Sequence, residues 1–128
     1  MADREWCAYA VKVDESSSFG VLDTQRRRIM KLALFARLEA KPGKENKVAE
    51  FLRQGLALAN QEATTLMWFA LRLGPATFAI FDAFADEAGR QGHLGGPIAK
   101  ALMAQASTLF AEPPVIEPLE VLGAKLAA

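Results

Sequence analysis

The sequence predicts an α+β domain in which elements follow one another as β-α-β-β-α-β. Three observations predict it. Four runs alternate with period two, the period of a pleated strand, and two longer runs space apolar residues as a helix does. Between the second and third strands stand only Gly74, Pro75 and Ala76, enough for a hairpin and too few for a crossover.

Lys31 to Ala40 reads as the first strand, with Leu32, Leu34, Ala36 and Leu38 on one face and Ala33 and Phe35 on the other. Lys41, Pro42, Gly43 and Lys44 form a turn. The first helix spans Glu45 to Asn60, where Val48, Phe51, Leu52, Leu56 and Ala59 recur at helical spacing. Asn60 suits its C-terminal cap. Thr64 to Leu73 is the second strand, with Leu66, Trp68 and Ala70 opposite Met67, Phe69 and Leu71.

The third strand begins at Thr77 and sets Phe78, Ile80, Asp82 and Phe84 against Thr77, Ala79, Phe81 and Ala83. Asp86 and Glu87 open a short helical segment ending at His93, as acids do in a first turn, and Asp86 suits the N-cap. Gly95, Gly96 and Pro97 break that segment and start a helix to about Leu109, with Pro at a tolerated first position. Ile98, Ala101, Leu102 and Leu109 are its apolar side. Val115 to Leu122 is the last strand, and Pro118 within it requires a sheet edge.

This order is the ferredoxin-like βαββαβ plan, an antiparallel sheet with helices on one face. Yet the strands are apolar on both faces, whereas a sheet with one wet face alternates apolar with polar. A second copy covering the free face is the economical answer, so a homodimer is expected.

Residues 1–30 read as an N-terminal extension: Trp6 to Val13 has strand character, and Asp14 to Gly20 has loop composition that suits partial disorder or marginal packing. The pattern from residue 31 to 128 is complete without them, so Met30 is an alternative start. Formal charge is zero, with 15 basic and 15 acidic residues, and Lys and Arg cluster only at Arg26, Arg27 and Arg28. Nucleic acid, which needs concentrated positive charge, is not an expected partner. Nor is a membrane: no apolar run approaches the roughly 20 residues of a spanning helix. The first residues hold no signal-peptide core, and Cys7 stands alone, which together suit a cytoplasmic protein without a disulfide or a cysteine metal site.

Several stretches carry a resemblance. The order of elements, the KPGKENKVAEFL opening of the first helix, the spacing of Glu62, Thr64 and Trp68 in QEATTLMW, and FDAFADEAGRQGHLGGP resemble the antibiotic biosynthesis monooxygenase family, which includes quinol monooxygenases. The resemblance spans Leu32 to Leu122, a stretch of ordinary small-domain size. It implies a dimeric α+β barrel with a pocket between sheet and helices. It also implies oxidation of a quinol or anthrone-like substrate by molecular oxygen with no cofactor. The lack of a GxGxxG dinucleotide fingerprint suits that reading. Relatives that degrade haem carry an Asn on the first strand, and Lys31 to Ala40 holds none. Asp82 stands where many relatives carry Glu, and Gly89 and Gly92 stand where bulkier residues are common.

His93, the sole histidine, is the candidate catalytic base. An unperturbed imidazole pKa of about 6.5 would suit proton abstraction from a phenol at neutral pH. The plainer role is a helix-end ring bonded to backbone or an acid. Trp68 can stack on a planar ligand and donate its indole N–H, or simply fill the core. Asp82 can orient His93 or pair with Arg72 or Arg37. Either arginine could hold a substrate oxyanion or pair across strands with Glu39 or Asp82. Two functions therefore compete: a cofactor-independent monooxygenase acting on a small aromatic, and a non-catalytic dimeric ligand-binding or stress-response protein on the same frame.

Overall fold

A computed structural model describes residues 30–127. The expected N-terminal extension lies outside the described residues. Along the chain run β1 (Leu32–Glu39), α1 (Glu45–Ala59), β2 (Met67–Arg72), β3 (Thr77–Phe84), α2 (Glu87–Leu94), α3 (Pro97–Leu109) and β4 (Val115–Glu120). The strands form one antiparallel sheet in the order β2-β3-β1-β4. This is the ferredoxin-like arrangement. The elements fall where expected, with the second and fourth strands trimmed at their ends.

Register assigns the faces. Leu34, Ala36 and Leu38 of β1 pair with Asp82, Ile80 and Phe78 of β3, so these six side chains share one face. Trp68 and Ala70 join them from β2 by pairing with Asp82 and Ile80. The helices pack here: Val48, Ala49 and Leu52 of α1 and Leu102 and Leu109 of α3 complete the buried cluster with Leu38 and Phe78. Pro118 pairs opposite Leu34 on edge strand β4, where a missing N–H breaks no second ladder.

The opposite face carries Phe35, Met67, Phe69, Leu71 and Phe81. Phe69 and Leu71 are 42% and 39% exposed, and the Phe69 and Phe81 rings meet with centroids 6.3 Å apart. None of the described helices lies on this side.

Helix ends follow local chemistry. The Asp86 carboxylate accepts from the Gly89 backbone N–H at 2.9 Å and caps α2 as expected. Gly96 precedes Pro97 at the start of α3. Asn60 closes α1 from a helical conformation: its backbone N–H donates to the Leu56 carbonyl, and the Gln61 N–H donates to the Leu58 carbonyl. Gly89 is buried because α2 lies tight on the α1–β2 loop, where a Cβ would stand 3.3 Å from the Thr64 carbonyl oxygen.

Candidate functional site

His93, near the C-terminal end of α2, is turned inward and buried. Its Nε2 lies 2.8 Å from Asp82 Oδ2, and its Nδ1 lies 2.6 Å from Glu62 Oε1. Three segments meet there: β3 supplies Asp82, the α1–β2 loop supplies Glu62, and α2 supplies the ring. The Thr65 hydroxyl donates to Glu62 Oε1 at 2.9 Å and stands 3.3 Å from His93 Nδ1. The Phe84 ring packs on the imidazole at 5.3 Å between centroids.

Carboxylates only accept, so an imidazole between two of them is best satisfied when both nitrogens carry protons. Burial pulls the His93 pKa down. The hydrogen bonds to Asp82 and then Glu62, with the charges of both, outweigh it and lift the pKa above the ordinary histidine value. The ring is therefore not the unperturbed, free base expected at position 93. Asp82 does orient it, and pairs with neither Arg37 nor Arg72.

Beside this triad, on the helix side of the sheet, lies an apolar cavity of about 220 Å³ that is partly open to solvent. Trp68 and Ile80 form its sheet wall, Phe51, Gly55 and Leu58 its α1 wall, and Ile98 and Ala101 its α3 wall. A smaller cavity of about 30 Å³, lined in part by Asp82, His93 and Leu102, shares Ile80 and Ile98 with it. Three buried polar atoms have no hydrogen-bond partner among the described residues: Trp68 Nε1, Asp82 Oδ1 and Glu62 Oε2. Buried groups left unpaired in this way are costly, and they concentrate where a ligand or water completes them.

Arg72 lies elsewhere. Its guanidinium sits over the Phe78 ring, 4.7 Å from the centroid, and donates to the Pro75 carbonyl at 3.3 Å. Arg37 is exposed, and Glu39, the other expected acidic partner, accepts from the Thr77 hydroxyl instead. The structure thus brings together His93, Asp82 and Trp68 of the expected set and leaves Arg72 out. Glu62 is the member not assigned to the site from sequence, though it belongs to the QEATTLMW motif. Gly55 was not singled out from sequence either; the signal it offered is a glycine inside an apolar helical pattern.

Among the described residues no group of three or more His, Cys, Asp or Glu is arranged to hold a metal ion. Glu62 and Asp82 occupy opposite nitrogens of one ring and do not converge on a point. None of the described helices is long and apolar enough to cross a membrane.

A crystal structure of a protein of unknown function from Nitrosomonas europaea is 62% identical to this chain, with a TM-score of 0.77, over 79% of this chain and 98% of that one. This chain belongs to that protein's family. Its fold is shared more widely. A provisionally named antibiotic biosynthesis monooxygenase from Caulobacter crescentus matches at TM-score 0.63 and 19% identity, over 78% of this chain and 98% of that one. A provisionally named monooxygenase of the same kind from Nitrosomonas europaea matches at 0.64 and 15%, over 71% and 98%. At these identities the likeness is one of fold, and it agrees with the resemblance drawn from the motifs. No family model matches the chain, and neither does any curated protein.

Proposed function

We propose that this member of the Nitrosomonas protein's family is a cofactor-independent monooxygenase. It oxidises a small aromatic substrate, quinol or anthrone-like, with molecular oxygen, and works as a cytoplasmic homodimer. One observation carries the reading: the apolar cavity walled by Trp68 adjoins a buried carboxylate, Asp82, with one oxygen unengaged. A phenol hydroxyl both donates and accepts. It can accept from Trp68 Nε1–H and donate to Asp82 Oδ1.

Asp82 is then the proton acceptor, and His93, held charged, fixes Asp82 through the other oxygen. The phenolate passes one electron to oxygen, the ring radical and superoxide combine at a ring carbon, and the peroxide formed takes the proton back from Asp82. The hydroperoxide loses water as that carbon gives up its hydrogen as a proton and becomes a carbonyl. One oxygen atom stays in the quinone and the other leaves in water. The protein supplies position, proton removal and exclusion of solvent.

Oxygen uptake by metal-stripped protein over a panel of hydroquinones and anthrones tests this. One oxygen consumed per quinone formed is expected, and no uptake across the panel rejects it. The competing reading, a non-catalytic dimer, draws on a different observation. Both His93 nitrogens are already occupied, as in a purely structural clamp of α2.

A further inference from the structure

We propose that the site selects a single oxygen-bearing ring over fused rings, and that Gly55 sets this limit by seating Trp68. Three observations support it. The first is volume. An apolar cavity of about 150 Å³ holds benzene. Scaling by atoms, one ring with two hydroxyls needs roughly 200 Å³ and three fused rings roughly 350 Å³. The cavity of about 220 Å³, open on one side, seats the first whole and leaves part of the second outside.

The second is Gly55. A glycine inside a helix is unfavourable by itself, yet this one lies within α1, facing Trp68. A Cβ at 55 would stand 3.3 Å from Trp68 Cη2 and 3.4 Å from Cζ2. Any side chain here takes cavity space and makes the indole give by a few tenths of an ångström. The third is polarity. The walls are apolar except Gln54 and Trp68, and the Trp68 indole N–H is buried and unpartnered. A ring that brings an oxygen acceptor completes it; a hydrocarbon ring leaves it bare.

The selection deepens the monooxygenase reading by naming its substrate class, but the selection itself concerns binding alone. It is tested without oxygen, by calorimetric titration of the full chain with hydroquinone, phenol, toluene and anthrone. Hydroquinone and phenol should bind, toluene at least about 5-fold more weakly, and anthrone not measurably. Gly55→Ala should weaken hydroquinone at least about 10-fold while the helix keeps or gains stability. Ile98→Ala, which cuts back one of the two residues shared by the cavities, should admit a two-ring phenol such as naphthol. Trp68→Phe should erase the preference for phenol over toluene. Anthrone binding as tightly as hydroquinone, no binding of any single ring, or an unchanged affinity in Gly55→Ala would overturn the proposal. Single-ring binding without later oxygen uptake upholds it and rejects the oxidation. Turnover of anthrone does the reverse.

Discussion

Trp68 and Asp82 are direct cross-strand partners on β2 and β3, and each holds a buried polar atom without a partner among the described residues. One atom is a donor and the other an acceptor. Sheet register thus makes Trp68, which lines the larger cavity, and Asp82, which lines the smaller, neighbours on one face.

If Asp82 takes the proton, Asp82→Asn keeps the shape and removes the base. Oxygen uptake with hydroquinone should fall by about 100-fold or more, within the range for losing a general base. Anaerobic titration should still show ring binding. Uptake that persists at the parent rate would remove Asp82 from the chemistry.

His93 links folding to pH. Its pKa in the folded chain lies above the ordinary value of about 6.5. Above that pH the folded state holds a proton that the unfolded state has released, so stability falls as pH rises. The His93 contribution is complete below about 6.5 and disappears as pH climbs through the raised value. Melting temperature should therefore decline over that interval, and His93→Gln should flatten the slope. A melting temperature that rises over the same interval would contradict the charged ring.

Removing the cation should cost more than removing ordinary core volume. In His93→Leu, Asp82 and Glu62 are left buried without their partner, a loss of about 3–5 kcal/mol for a broken buried pair. That is a large part of the 5–15 kcal/mol that holds a typical domain together. Urea unfolding measures it. A loss below about 1 kcal/mol would mean that water already reaches the carboxylates.

Phe69 and Leu71 lie on the sheet face away from the helices, about two-fifths exposed. Covering a few hundred Å² there at about 25 cal/mol per Å² gives several kcal/mol of association. Sedimentation at micromolar concentration should find a dimer that salt barely weakens, and Phe69→Glu should yield monomer. A parent chain that sediments as monomer would remove the second copy from the account.

Gly96 tests how closely the triad is fitted. A Cβ there would stand 3.0 Å from Glu62 Oε2 and 3.3 Å from the His93 carbonyl oxygen. Gly96→Ala must therefore shift Glu62 or the start of α3, with a cost of about 1–3 kcal/mol as for other overpacked sites. Thermal unfolding reads it directly, and unchanged stability would show that Glu62 moves aside freely.

By itself the sequence determined the strands and helices and their order, because periods of two and 3.6 are written in neighbouring residues. Asp86, Gly96 with Pro97, and Pro118 marked a cap, a helix start and an edge for the same local reason. His93, Asp82 and Trp68 were legible as candidates because their side chains are chemically distinctive. What those residues do to one another was decided only by the tertiary structure. Glu62 reaches His93 across 31 positions, and Trp68 meets Asp82 through a register that no local pattern reveals. Arg72, equally suited by charge, is carried to the Phe78 ring instead. The pKa of His93 and the size of the cavity depend on distances and burial between segments far apart in the chain. Those quantities exist only once α1, α2 and α3 have closed over the sheet.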